Sequence, residues 1–275
     1  MLKKIFNLFK IIRKLSISGA VDVLDEIKPM PKIFKLIFHI FSFGSNNKIE
    51  SINKTSGEKL CEALQSMGTT FIKLGQFLAT RPDIIGDEIA KKLERLQDKL
   101  PAFSTNEAKE IIKNEIGIKS FNNIILLEDS VAAASIAQVH FAKIKIDDSE
   151  KELAIKILRP NIHQTVNEEL DAMMFLAYLI ENVFKKTKRL KLVEVIHLLK
   201  EITNVEMDLR FEAAAASELH ENMRKDNSIK VPKIYWNYTS KKILTLDKVD
   251  AIPIREIDNL KTSGIDLKKV STNLI

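Results

Sequence analysis

Apolar positions recur at helical spacing early in the chain and at strand spacing only later. Leu2, Ile5, Phe6, Phe9, Ile12 and Leu15 interleave with Lys3, Lys4, Lys10, Arg13 and Lys14, the pattern of an amphipathic helix with a basic face. The helical character continues to about residue 45, with breaks expected at Gly19 and at Pro29 and Pro31. Residues 45–47 read as a polar linker. Residues 52–77 predict one long helix. It is ended by Arg81-Pro82, because the residue before a proline avoids the helical basin. A charged amphipathic helix is predicted over 88–100, stopping at Pro101. Ser104 or Thr105 is placed to cap the next helix, over 107–115, which ends at Gly117.

The period then changes. Residues 124–127, 137–146 and 152–158 are short and rich in apolar or β-branched side chains. They are separated by the polar stretches 128–130 and 147–151. Two long helices are predicted over 167–185 and 193–223, and residues 235–239 and 242–247 flank Ser240 as a hairpin. This gives an α+β chain: a helical N-terminal extension followed by five antiparallel strands with helices inserted after the third. A protein-kinase N-lobe is assembled in that order.

Composition narrows the function classes. The chain has 275 residues, 45% hydrophobic and 29% charged, ordinary values for a folded protein. One cysteine, Cys61, excludes an intrachain disulfide and fits a reducing compartment. It reads as a small core residue or as a reactive thiol. The five histidines have no metal-ligand spacing. The net charge of +6 is concentrated at the start, so the first helix reads either as a contact for an anionic membrane surface or as a surface helix docked on its own domain. No nucleic-acid motif accompanies the basic residues. The apolar run over 33–43 is too short to span a bilayer, and no signal-peptide cleavage site is evident.

Four segments carry candidate chemistry. Ala132, Ala133, Ala134 and Ser135 lie where a kinase places a glycine-rich loop over the ATP phosphates; a packed strand turn without a ligand is the alternative. Leu153-Ala154-Ile155-Lys156-Ile157 resembles the strand whose lysine pairs with phosphates and a helix glutamate. Alternation turns Lys156 away from Ile155 and Ile157, and an exposed strand lysine would look the same. Glu206, Asp208 and Glu212 read as carboxylates on one helix, either over a cationic site or on a solvated face. Lys73-Leu74-Gly75-Gln76 matches no standard catalytic constellation.

Taken in order, Lys73-Leu74-Gly75-Gln76, Ala132 to Ser135 leading into Gln138-Val139-His140, Lys156 before Arg159-Pro160, and Glu206 with Asp208 resemble the UbiB family of atypical kinases tied to ubiquinone biosynthesis. The resemblance runs from about Ser16, through residues 24–27, to the end. It implies that Lys73, on a segment folded over the nucleotide pocket, meets Glu206 and Asp208. It also implies that Lys156 pairs with Glu212, and that Asp247 and Val249 belong to a hinge meeting adenine. The alanine loop is associated with an altered nucleotide preference and with ATPase behaviour in place of protein kinase activity.

The implied domains are 1–45 (basic helical segment), 46–120 (helical extension) and 121–275 (kinase-like N-lobe). The family's His-x-Asp catalytic loop and Asp-Phe-Gly metal site do not occur in the sequence. The C-lobe is therefore expected to be missing, with no catalytic residue and no metal ligand, and the chain alone is expected to be inactive. ATP or ADP would bind weakly, and Mg²⁺ only with a C-lobe from a second chain. Implied partners are the nucleotide, an anionic membrane surface and quinone-biosynthesis proteins. The implied location is the bacterial cytoplasm, peripheral on the inner face of the inner membrane. A non-catalytic membrane- or complex-binding module and an inactive remnant of a split gene are the competing readings. A flavin-dependent or iron-dependent hydroxylase has no supporting motif.

Overall fold

The computed structural model describes residues 2–18, 21, 23, 25, 32–42, 55–94, 96, 101–183, 185–226, 228–254 and 256–273. The breaks expected at Gly19, Pro29 and Pro31 and the linker at 45–47 lie outside these residues; the helix expected over 88–100 ends already at Leu93, with Glu94 at its C-cap. The chain divides into two units. One comprises Met1–Pro101, Ala134–Ile136 and Asn161–Asn204; the other comprises Ala102–Ala133, Ala137–Pro160 and Val205–Ile275.

The first unit is helical. Its elements are α1 (Leu2–Ile17), α2 (Lys32–Ser42), α3 (Ser56–Met67), α4 (Thr69–Ala79), the short α5 (Pro82–Ile85) and α6 (Asp87–Leu93). They are followed by α8 (Ile162–Val183) and most of α9 (Leu192–Glu206). The helix expected over 52–77 is two helices, because Gly68 sits between them at φ 116°, a backbone region that side chains rarely adopt. α3 opens on a capping box: Thr55 accepts from the Glu58 N–H and Glu58 accepts from that of Thr55. Leu60, Leu64 and Met67 of α3, Phe71 and Ile72 of α4, and Leu93 of α6 form its buried centre. The basic α1 is docked on this unit, with Ile11 buried, Phe9 against Phe41 at 5.4 Å between ring centroids, and Lys14 donating to the Ser66 carbonyl.

The second unit is a four-stranded antiparallel sheet in the order β1 (Ile124–Ala133), β2 (Ala137–Ile146), β3 (Ser149–Leu158), β4 (Ile243–Asp247). One face is covered by α7 (Thr105–Phe121), which starts at the expected Ser104 cap. Ala108 and Ile112 of α7 meet Ala142 and Ile144 of β2, Leu153, Ile155 and Ile157 of β3, and Ile243 of β4. Each fully buried Leu or Ile contributes about 1.5–3 kcal/mol by leaving water. α7 passes its expected stop: Gly117 is non-helical at φ 79°, but helix resumes to Phe121. β2 and β3 are joined by Asp147-Asp148, both at positive φ, as a two-residue hairpin turn requires.

The α+β class with a kinase-like sheet holds, with two corrections. Residues 128–130 do not separate strands: they lie inside β1, whose pairing with β2 is shifted by bulges. Residues 235–239 are not a strand. Trp236–Tyr238 forms a 3₁₀ turn, and a single bridge, Ile234 to Leu246, stands where the fifth strand is expected. Pro232 has no N–H to extend that pairing, and Tyr238 is instead buried in the core. After β3 the chain runs through α8, α9 and α10 (Leu209–Met223) before β4, with α11 (Ile257–Thr262) and α12 (Leu267–Asn273) following.

Candidate functional site

The register of the sheet sorts its side chains into two sets. Positions 142, 144, 153, 155 and 157 face α7, so the opposite parity lies on the other face. There Lys156 is flanked by Val139 of β2 and Leu244 of β4, and its neighbour Ala154 by Phe141 and Leu246. Glu212, one turn into α10, reaches this face: Lys156 Nζ donates to its two carboxylate oxygens at 2.9 and 2.7 Å. α10 is anchored beside β4 by the Leu209 N–H, which donates to the Lys241 carbonyl at 3.0 Å. The lysine side chain is 27% exposed, so a held ammonium stands at the rim of an apolar strand face. Such a group can meet anionic oxygens, and beside it Val139 is partly exposed while Ala154 and Leu244 are buried. Val139 and Ala154 lie inside the motif segments, but the motifs assign no role to either. The alternation of β2 and β3 is the signal that finds them.

The alanine loop is shorter than its motif. Ala132 and Ala133 end β1, pairing with Val139 and Gln138, and Ala134 and Ser135 begin the three-residue connection to β2. Ser135 is 1% exposed. Gln138 and His140 point to the α7 side, where the Gln138 amide accepts from the Phe103 N–H at 2.9 Å and donates to its carbonyl at 3.1 Å.

β4 finishes at Asp247, which pairs with Leu153. The Asp247 carboxylate accepts from the Lys233 N–H and the Tyr235 hydroxyl. Burial, reinforced by Asp247, pushes that hydroxyl up to about 12. Lys248 lies 4.7 Å from the Phe141 ring centroid and 3.1 Å from Glu152, and the Glu152 carboxyl is lowered chiefly by that hydrogen bond. Val249, past the strand, is 53% exposed.

The acidic motif is not three carboxylates on one helix. Glu206 ends α9, whereas Asp208 has extended backbone (φ −123°, ψ 95°) and caps α10. Asp208 accepts from the Arg210 N–H and is gripped by the Arg210 guanidinium at 2.9 and 2.6 Å. That pairing holds the Asp208 carboxyl below its usual range. An aspartate followed by a helical run is the signal that could have placed this cap. Lys73, Gly75 and Gln76 sit on α4 in the first unit. Gly75 is buried, and a Cβ there would come within 2.3 Å of Leu96 and 2.8 Å of Leu64, so it lets α4 pack closely on its neighbours. Among the described residues no three His, Cys, Asp or Glu converge as a cation site, and no metal chemistry is derived from them. Among the same residues no helix is long and apolar enough to cross a membrane.

Residues 95–275 match the ABC1 atypical kinase-like domain. The "Probable protein kinase UbiB" of Histophilus somni (strain 129Pt) is 37% identical over 271 residues, which cover 97% of this chain and 49% of the relative. The protein of the same description from Marinobacter nauticus is 33% identical over 248 residues, covering 89% and 43%. The chain thus spans about half the length of the curated relatives it matches. A kinase-like sheet carrying a lysine–glutamate pair and a family match over residues 95–275 lead to one conclusion: the chain belongs to the ABC1 atypical kinase-like family.

Proposed function

We propose that this chain supplies the nucleotide-side lobe of a UbiB-like atypical kinase or ATPase that serves ubiquinone biosynthesis. The observation that carries the reading is the Lys156–Glu212 ion pair at 2.7 Å on the sheet face opposite α7. A strand lysine held by a helix carboxylate suits the phosphates of ATP or ADP. Lys156 and the backbone of 132–135 would hold them, while Val139, Ala154 and the stretch from Asp247 to Val249 would hold the base. The bound nucleotide would supply the phosphoryl group.

Lys73 would meet Glu206 and Asp208, as the resemblance implies. Arg210 then competes for Asp208, so Glu206 would be the stronger partner. Mg²⁺ would join only with ligands beyond these residues, from a C-lobe or a second chain. An anionic membrane surface and quinone-biosynthesis proteins would be its cellular partners, on the inner face of the bacterial membrane.

Binding of a fluorescent ATP analogue to the purified chain tests the reading. Weak but saturable binding is expected, reduced about tenfold or more by Lys156→Ala, in line with loss of a charge-assisted hydrogen bond of ~1.5–3 kcal/mol. Equal binding by wild type and Lys156→Ala would sink it. No turnover is expected from the 275-residue chain alone, since no residue of it provides the His-x-Asp or Asp-Phe-Gly functions. ATP hydrolysis that Lys156→Ala abolishes would overturn the inactivity and leave the nucleotide reading standing.

A further inference from the structure

The helix that carries Lys73, Gly75 and Gln76 has an unusual beginning. Its N-cap position is Gly68, which has no side chain to satisfy the exposed N–H groups of the first turn. The missing acceptor comes from far along the sequence. Glu169, on α8, accepts from the Thr70 N–H at 3.2 Å, the bond that a local Asn, Asp or Ser would make. Thr70 is fully buried and Thr69 is 6% exposed, so neither N–H has ready access to water. The carboxylate also stands at the positive end of the helix dipole. Burial pushes the Glu169 carboxyl above its ordinary value, and the bond from the Thr70 N–H acts against that rise.

The fit around Gly68 is close. A Cβ there would lie 2.8 Å from Glu169 Oε1, and the residue is at φ 116°. Glycine therefore serves twice at this position, for the backbone turn and for the approach of the carboxylate. The same turn of helix makes a second long-range bond: the Thr69 hydroxyl donates to the Ser135 carbonyl at 3.0 Å. Ser135 is 1% exposed and closes the alanine loop.

We propose that Glu169 and Thr69 are positioning residues. Together they fix the first turn of the helix bearing Lys73, Gly75 and Gln76, and through Ser135 they fix the end of the alanine loop. The functional value of this clasp rests on the reading of that loop as the turn that faces the nucleotide phosphates.

Hydrogen–deuterium exchange on the 275-residue chain without nucleotide tests the clasp by itself. Thr69→Val removes the hydroxyl and keeps the shape. It is expected to speed exchange about fivefold in both 69–76 and 131–137, the loss of one net hydrogen bond, while Thr69→Ser restores protection. Glu169→Ala is expected to speed exchange in 69–76 more than Glu169→Gln, which keeps an acceptor oxygen. Exchange in 131–137 that ignores Thr69→Val, or in 69–76 that ignores Glu169→Ala, would overturn the proposal. Should Glu169→Ala fail to fold, the Val and Ser variants at Thr69 decide it. A chain with the full exchange response that binds no ATP analogue would discredit the nucleotide reading and leave the clasp in place.

Discussion

Gln138 illustrates how a motif residue can be structural. It has no exposed surface, yet its amide imitates a strand partner for both backbone groups of Phe103. Its NH₂ also lies 2.8 Å from Nε2 of His140, whose Nδ1 lies 2.8 Å from the Glu128 carbonyl. A carbonyl can only accept, so Nδ1 carries the ring proton and Nε2 accepts from Gln138. Gln138→Ala would leave His140 and both Phe103 groups short of partners in a buried site. A loss of about 2–4 kcal/mol is expected, read from the urea midpoint at unchanged slope. Lys156→Met should behave oppositely. Its pair is partly exposed, with the carboxylate side chain at 49%, so stability should move by less than ~1 kcal/mol while ATP-analogue binding falls. A large stability loss at Lys156 would mean that the pair holds the sheet and is not primarily a ligand site.

At the scale of elements, the break between α9 and α10 rests on Asp208. Asp208→Ala should cost about 0.5–2 kcal/mol, the usual worth of an N-cap. The carboxyl is lowered by Arg210, so its contribution is fully present above the unfolded aspartate range, about pH 4. It is lost as pH falls through the lower folded value. Urea midpoints of wild type and Asp208→Asn should therefore converge as pH falls through that lowered value, and a gap that acid leaves constant would argue against a contribution from the ionised, Arg210-held carboxylate.

Much at this level was legible in the sequence: β2 and β3 from alternation, the Ser104 cap from its residue type, and the inserted helices from their periodicity. The divided helix at Gly68 was not, because its acceptor Glu169 is distant in sequence, and the cap at Asp208 was hidden by reading Glu206 to Glu212 as one helix. The missing fifth strand was obscured by aromatic residues. Tyr235 to Tyr238 have the composition of a strand, but Tyr238 gains more by entering the core below α7 than by pairing at an edge. Gly75 was read as a motif residue, and its close approach to Leu64 and Leu96 could not be inferred locally. Gly75→Ala should cost about 1–3 kcal/mol by overpacking, seen as a lower melting temperature even where nucleotide binding is unchanged.

Over the whole molecule, the exposed apolar surface after β4 sets the solution behaviour. Val249, Ile254 and Ile257 are each more than half exposed, at 53%, 63% and 51%, with Ile265 at 38%. In the 275-residue chain this surface is open to water, and an apolar patch of this kind promotes association. The net charge of +6 opposes it, since like-charged molecules repel until salt screens them, with a Debye length of about 8 Å near 0.15 M. The two effects predict a salt-dependent outcome. Light scattering of the purified chain should be low in dilute buffer and rise as sodium chloride passes about 0.15 M. Replacing Val249, Ile254 and Ile257 together by serine should suppress the rise and reduce binding of an apolar dye. Scattering that salt leaves unchanged, or that the triple serine variant shares fully, would place the adhesive surface elsewhere, with the exposed Phe175, Tyr178 and Val183 of α8 next in line.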